Sequence, residues 1–191
     1  NQKMISNSFT TGLFPILLSL RMIQFLLEPS PMVDKERIVE LDNWLSFDSQ
    51  CSMLFPWYTR PFLRELIMWD TKQWKVFEYG AGNSTTWWRK NAQLVRSVDS
   101  NSEWAKRANA IYTKDKAEFL SVPLSLIADG LFDCIIIDGE PVEWRDECAK
   151  YALQAINPNG IIIADNYEQA TVPGLGSWPE TNELLKTCKK Q

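Results

Sequence analysis

The residues of this chain that are able to do chemistry gather where apolar runs end. Val76-Phe77-Glu78 closes in a carboxylate, Gly80-Ala81-Gly82-Asn83 follows almost at once, and Ser84-Thr85 then opens a helix-prone stretch. A strand, a glycine turn and a helix N-terminus in that order present bare backbone N–H groups to a nucleotide-like ligand. Ser97-Val98-Asp99 sets a further acid 19 residues after Gly80, about where such folds hold a ribose. Ile135-Ile136-Ile137-Asp138 and Ile161-Ile162-Ile163-Ala164-Asp165 repeat the pattern of an apolar strand ending in an acid. Four strand-end carboxylates in one order are more specific than a glycine loop alone. They point to an enzyme that handles a nucleoside cofactor. Each residue also has an architectural use: Asp99 and Asp138 can cap the helices that follow, as can Ser84 and Thr85 for theirs.

The elements that must position these groups alternate regularly from Lys75 onward. The pattern predicts strand 75–79, a helix from about Ser84, and strand 94–99. A helix capped by Ser102 follows, with Trp104, Ala108 and Ile111 on one face. A weaker strand is expected near Glu118–Leu124, a turn at Ala128-Asp129-Gly130, and strand 132–138. A helix then carries Trp144, Cys148, Tyr151, Ala152 and Ala155 on one face, and Asn157-Pro158-Asn159-Gly160 turns into strand 161–165. Apolar strands alternating with amphipathic helices indicate an α/β fold: a Rossmann-like, doubly wound, mostly parallel sheet covered on both faces.

Residues 1–74 read instead as an α-helical N-terminal extension or lid, continuous with a main domain over 75–191. Its first helix is expected over residues 13–28, where Arg21, Gln24 and Glu28 break an apolar run too short to span a membrane. Packing on the domain, or self-association through this apolar helix, is its expected use. A second helix, capped by Asp34, carries Ile38, Leu41 and Leu45. A third, opened by Thr59 and Pro61, carries Phe62, Leu63, Leu66 and Ile67.

Composition narrows the chemistry. The net charge of −4 argues against a general affinity for nucleic acid or an anionic membrane, which both require a positive field. Four cysteines without a Cys-x-x-Cys pair suit reduced thiols in a cytoplasmic protein. The chain has no histidine, so His-dependent triads, His-ligated zinc and imidazole bases are excluded. Proton transfer falls to carboxylates, Lys, Tyr, Cys or the substrate. Thr85 stands where a dinucleotide fingerprint requires its third glycine, which weighs against NAD. Of the nine tryptophans, Trp87-Trp88 lie on the helix after the glycine loop, with core packing or adenine stacking as their alternatives.

Glu-x-Gly-x-Gly after a strand, with acids ending the second, fourth and fifth strands, resembles the class I S-adenosylmethionine-dependent methyltransferases over about residues 55–170. The nearest members are small bacterial-type proteins, similar here in Pro56-Trp57-Tyr58-Thr59-Arg60-Pro61, Phe77 to Thr85, Ile137-Asp138-Gly139 with Arg145 and Cys148, and Asp165-Asn166. The resemblance implies S-adenosyl-L-methionine as cofactor, held by Glu78, Gly80, Ala81, Gly82, Asn83, Ser84, Asp99 and Asp138. Glu78 would fix its amino group directly or through water, and Asp99 both ribose hydroxyls. Asp138 would face the amino group or the reacting methyl, and it is the candidate catalytic base. Tyr58 and Arg60 are candidates for substrate contact or for plain surface positions. The implied activity is O- or N-methylation of a small molecule, sugar or peptide.

Two other readings stand beside it. A degenerate methyltransferase fold can bind a nucleoside or a protein partner without transferring methyl groups. Asp165-Asn166 with Asp138 also resembles the metal site of catechol-type O-methyltransferases, but no lysine follows Asp138 within four residues, and no metal is expected. The family's C-terminal β-hairpin is expected to be missing, because only 26 residues follow Asp165. Those residues suit a loop over Thr171–Trp178 and a helix near Glu180–Lys189. The segment between the second and fourth strands leaves no room for a normal third crossover helix.

Overall fold

The computed structural model describes residues 16–19, 55–167, 178, 179 and 181 of the 191. In chain order the elements are β1 (Ile16–Ser19), α1 (Arg60–Leu66), β2 (Lys75–Tyr79), α2 (Asn83–Asn91), β3 (Leu94–Asp99), α3 (Ser102–Ala108), β4 (Ile111–Tyr112), α4 (Lys116–Ser125), β5 (Phe132–Ile137), α5 (Arg145–Ala155) and β6 (Ile156–Ala164). The strands form a single sheet in the order β1-β6-β5-β2-β3-β4, and every neighbouring pair is parallel. Among the described residues no helix is long and apolar enough to cross a membrane.

The strand pleat sorts side chains onto two cores. Phe77 and Tyr79 of β2, Ile135 and Ile137 of β5 and Ile162 of β6 pack with Phe119 and Leu120 of α4 and Cys148, Ala149 and Ala152 of α5. Their sequence neighbours Val76, Cys134, Ile136 and Ile163 face the other way, against Phe62, Leu63 and Leu66 of α1 and Trp87 and Trp88 of α2. Helices thus cover both faces of a parallel sheet, which is the Rossmann-like doubly wound arrangement expected. From β2 the chain winds outward through β3 to β4, then crosses back to β5 and β6 on the other side. The reversal leaves a crevice beyond the carboxyl ends of β2 and β5, where folds of this kind bind ligands.

Several local expectations require correction. Residues 16–19, placed on a helix by the sequence reading, are the parallel strand β1 beside β6, pairing Ile16 with Ile161 through Ser19 with Ala164. A short apolar run fits a buried strand as well as a helix, and the sheet edge decided between them. This part of the extension therefore belongs to the sheet, and the rest of the segment expected as a helix over residues 13–28 lies outside the described residues. The stretch Glu118–Leu124, expected as a strand, lies in helix α4. The Asp115 carboxylate accepts from the Glu118 N–H at 2.8 Å to cap it, and Phe119, Leu120, Val122 and Pro123 are buried. The third crossover helix is thus present. Ile111 leaves the helical face assigned to it because Asn109, at φ +48°, ends α3 in the left-handed region and frees Ile111 for β4. Asn101 rather than Ser102 caps α3, accepting from the Glu103 and Trp104 N–H groups. The expected turn at Asn157–Gly160 is absorbed into β6 as a bulge, between the pairs Phe132–Ile156 and Cys134–Ile161. Thr59 and Pro61 open α1 as expected. The helix assigned to Asp34, the loop and helix after Thr171 for most of their length, and the C-terminal hairpin lie outside the described residues.

Candidate functional site

Three loops leave the carboxyl ends of β2, β5 and β6 and are bonded to one another. The Gly80 N–H donates to Val98 O at 2.8 Å, the Asp138 N–H to Tyr79 O at 2.9 Å, and the Asp165 N–H to Ile137 O at 3.0 Å. Gly80 holds φ +95°, and a Cβ there would lie 2.9 Å from the Asp138 carbonyl. A Cβ on Gly139 would in turn meet Phe119 at 2.8 Å. These two glycines let the loops after β2 and β5 lie against each other. Gly82 differs: its φ of −178° suits any residue, and a Cβ there would meet nothing within 4 Å.

Asp99 ties the glycine loop to β3. One carboxylate oxygen accepts from the Ala81 N–H and the other from the Asn101 N–H, each at 2.7 Å. Burial raises its pKa while the two backbone donors oppose the rise. Its own bonds run to the loop and to the residue that caps α3, so it is not the cap itself.

Glu78 lies beneath the loop. It is 1% exposed, and its two oxygens accept from the Ser84 and Thr85 hydroxyls. The Thr85 oxygen also accepts from the Gly82 N–H at 3.0 Å, completing a relay from loop backbone to buried acid. Burial pushes the Glu78 carboxyl up to about 7, against the pull of the two hydroxyls and the Arg89 charge. Ser84 and Thr85 therefore serve the buried carboxylate as well as the helix start.

The third assembly is centred on Arg145, at the start of α5 and 4% exposed. Its guanidinium donates from Nε to Gly139 O at 2.8 Å, from Nη2 to Asp138 O at 3.1 Å and from Nη1 to Asp165 O at 3.2 Å. Nη2 also lies 3.3 Å from the Asp138 carboxylate. One cation thus clamps the loops after β5 and β6. Asp138 has its pKa raised well above the carboxylate range, first by burial and then by the adjacent negative charge of Asp165, with Arg145 opposing.

These loops enclose a cleft of about 480 Å³, within the range of small-ligand sites. Its floor is Gly80, Ala81, Gly82, Asn83 and Ser84, and Asp99 and Asp138 stand in its walls. The structure therefore brings together seven of the eight residues proposed for the cofactor; of these eight Glu78 stands behind the wall, engaged by the two hydroxyls. Asp165, Asn166, Arg145 and Trp57, which the sequence motifs also marked, line it too, whereas Asn101, Trp104 and Glu140 carried no sequence signal for the site. Asn101 and Trp104 come from α3, Glu140 and Arg145 from the β5 side, Asp165 and Asn166 from the end of β6, and Trp57 from the segment before α1. The Pro56–Pro61 motif did contain Trp57, but only the tertiary fold sets it on the rim, 76% exposed. Tyr58 of the same motif is buried, its hydroxyl accepting from Trp88 Nε1 at 3.4 Å.

No protein-family model matches the chain, nor does any curated protein or solved structure. Fold and site geometry alone define the class: a doubly wound α/β protein with a polar, acid-lined ligand cleft at its topological switch point.

Proposed function

We propose that this protein is an S-adenosyl-L-methionine-dependent methyltransferase acting on an O- or N-nucleophile of a small molecule, sugar or peptide. The observation that carries the reading is the convergence of the Gly80–Ser84 loop, Asp99 and Asp138 on one cleft at the switch point. The cleft fits a nucleoside on two counts. Among the described residues nothing lies within 4 Å of a Cβ built on Gly82, so the loop there is open to whatever lies on it. Asp99, held by backbone donors on both oxygens, is oriented so that a carboxylate with four lone-pair sites faces the cleft, which suits a ribose diol.

The bound sulfonium would supply an activated methyl group, and such a transfer asks mainly for in-line positioning. The protein's own task is then to hold the acceptor and take up its proton. Asp138, its proton affinity raised by burial and Asp165, is matched to that task near neutral pH. Arg145 keeps the pair from carrying unbalanced charge. It also argues for the metal-free version, because its guanidinium already fills the cation's place, 3.3 Å from the Asp138 carboxylate and 3.5 Å from Asn166 Oδ1.

One observation favours a second reading, a nucleoside-binding or protein-interaction module without turnover. Glu78, which the resemblance assigns to the cofactor's amino group, is already satisfied by Ser84 and Thr85. Incubation with methyl-labelled S-adenosylmethionine and a broad acceptor set separates the two. Demethylated cofactor with a labelled acceptor supports the enzyme. Tight cofactor binding with no product across the set supports the module.

A further inference from the structure

The composition of the cleft wall selects by charge. Asp99, Asp138, Glu140 and Asp165 all line it, against a single cation among the described lining residues, Arg145. That guanidinium is buried, and its Nε, Nη1 and Nη2 are all committed to backbone carbonyls. Its two remaining N–H groups face Asn166 Oδ1 and the Glu140 and Asp138 carboxylates, so all five donors are engaged and none is left for a phosphate or carboxylate on an incoming molecule. Trp57, 76% exposed, and Glu140, its side chain 67% exposed, are also lining groups; Glu140 Oε1 lies 3.5 Å from Arg145 Nη2 and Oε2 accepts from the Val142 N–H at 3.1 Å, which fixes the carboxylate while leaving it open to solvent. The face of an indole attracts cations through its quadrupole, and a nearby carboxylate adds to that attraction. A second rim tryptophan, Trp104, already carries a cation, with the Arg107 guanidinium 5.3 Å from its ring centroid.

We propose that the methyl acceptor is a cationic amine, drawn into this acid-lined cleft with the Trp57 ring and the Glu140 carboxylate as its exposed cation-attracting groups. The proposal rests on the methyltransferase reading and narrows it from an O- or N-nucleophile to an amine. The protonated amine is the form recognised and the neutral amine the form that reacts. Its proton passes to the Asp138–Asp165 carboxyl pair, and its freed lone pair forms the new C–N bond. The C–S bond of the sulfonium breaks with its electron pair going to sulfur, leaving a neutral thioether. Charge balances: the acid pair gains one proton, and the sulfonium charge ends on the methylated ammonium.

The test uses the full chain and three probes with one aryl-ethyl body: phenethylamine, 2-phenylethanol and 3-phenylpropionate. Each is titrated calorimetrically, with and without saturating S-adenosylhomocysteine. The amine is expected to bind at least about tenfold more tightly than the alcohol, and the anion most weakly. Trp57→Ala and Glu140→Gln, both at exposed positions, should each reduce amine affinity about 3- to 10-fold with little change for the alcohol. Equal binding of amine and alcohol, preference for the anion, or no binding of any probe at millimolar concentration overturns the proposal. Failure of S-adenosylhomocysteine itself to bind is a separate result and strikes the methyltransferase reading instead.

Discussion

Glu78→Gln tests whether a buried carboxyl beneath the glycine loop titrates near neutrality. The carboxyl is raised from an ordinary 4.5 to about 7, so the native state holds this proton more tightly than the unfolded chain does. Stability from this group is then fully present below about pH 4.5 and is lost as pH rises through about 7. The span of about 2.5 pH units, at about 1.4 kcal/mol each, sets a ceiling of about 3.5 kcal/mol. Between about pH 5 and pH 8 the loss from Glu78 amounts to about 2.5 kcal/mol. Glutamine keeps the shape and an acceptor for one hydroxyl but cannot ionise. Urea unfolding at half-unit pH steps gives the profile of each protein. Asp138 contributes a slope of the same sign to both, set mainly by its burial and by Asp165 and only slightly by the Glu78 charge, so Glu78 dominates the difference between the profiles. That difference should swing in favour of the variant by about 2–3 kcal/mol as pH rises across this range. Parallel profiles would refute the buried-carboxylate argument.

The two loop glycines should part company: Gly80→Ala, strained at φ +95° and within 2.9 Å of backbone, should cost about 2–4 kcal/mol by thermal unfolding. Gly82→Ala should cost no more than about 1 kcal/mol, yet weaken nucleoside binding measured by calorimetry. Asp99→Asn sets an amide N–H₂ against either the Ala81 or the Asn101 N–H, so it should lose about 1–3 kcal/mol of stability as well as ribose affinity; unchanged unfolding would contradict the two-bond geometry. Arg145→Ala removes the guanidinium from three carbonyls and from the half-buried Asp138 carboxylate, and should destabilise by about 3–5 kcal/mol in urea titrations.

How much of this was legible in the sequence follows from what is local. Strands β2, β3, β5 and β6 could be read because each is an apolar run closed by an acid or a turn, and the parallel sheet followed from their alternation with helices. The glycine loop, Asp99 and Asp138 could be placed at one edge because strand ends in such a sheet share an edge. What failed depended on distant partners. Ile16–Ser19 is a strand only because β6 offers it an edge, and Phe119 to Pro123 form a helix because a capped, amphipathic segment must cross the sheet to reach β5. The Arg145 clamp was invisible as geometry, since its acceptors lie on two loops that meet only in the fold. Likewise, Glu78 could be recognised as a chemically loaded residue, but not as one sealed behind Ser84 and Thr85.

The most direct test of the central claim is calorimetric titration of the full chain with S-adenosylmethionine, S-adenosylhomocysteine and NAD. The account predicts saturable one-to-one binding of the first two, weakened at least tenfold by Asp99→Ala, and no comparable binding of NAD. Binding of NAD alone, or of none of the three, would contradict it.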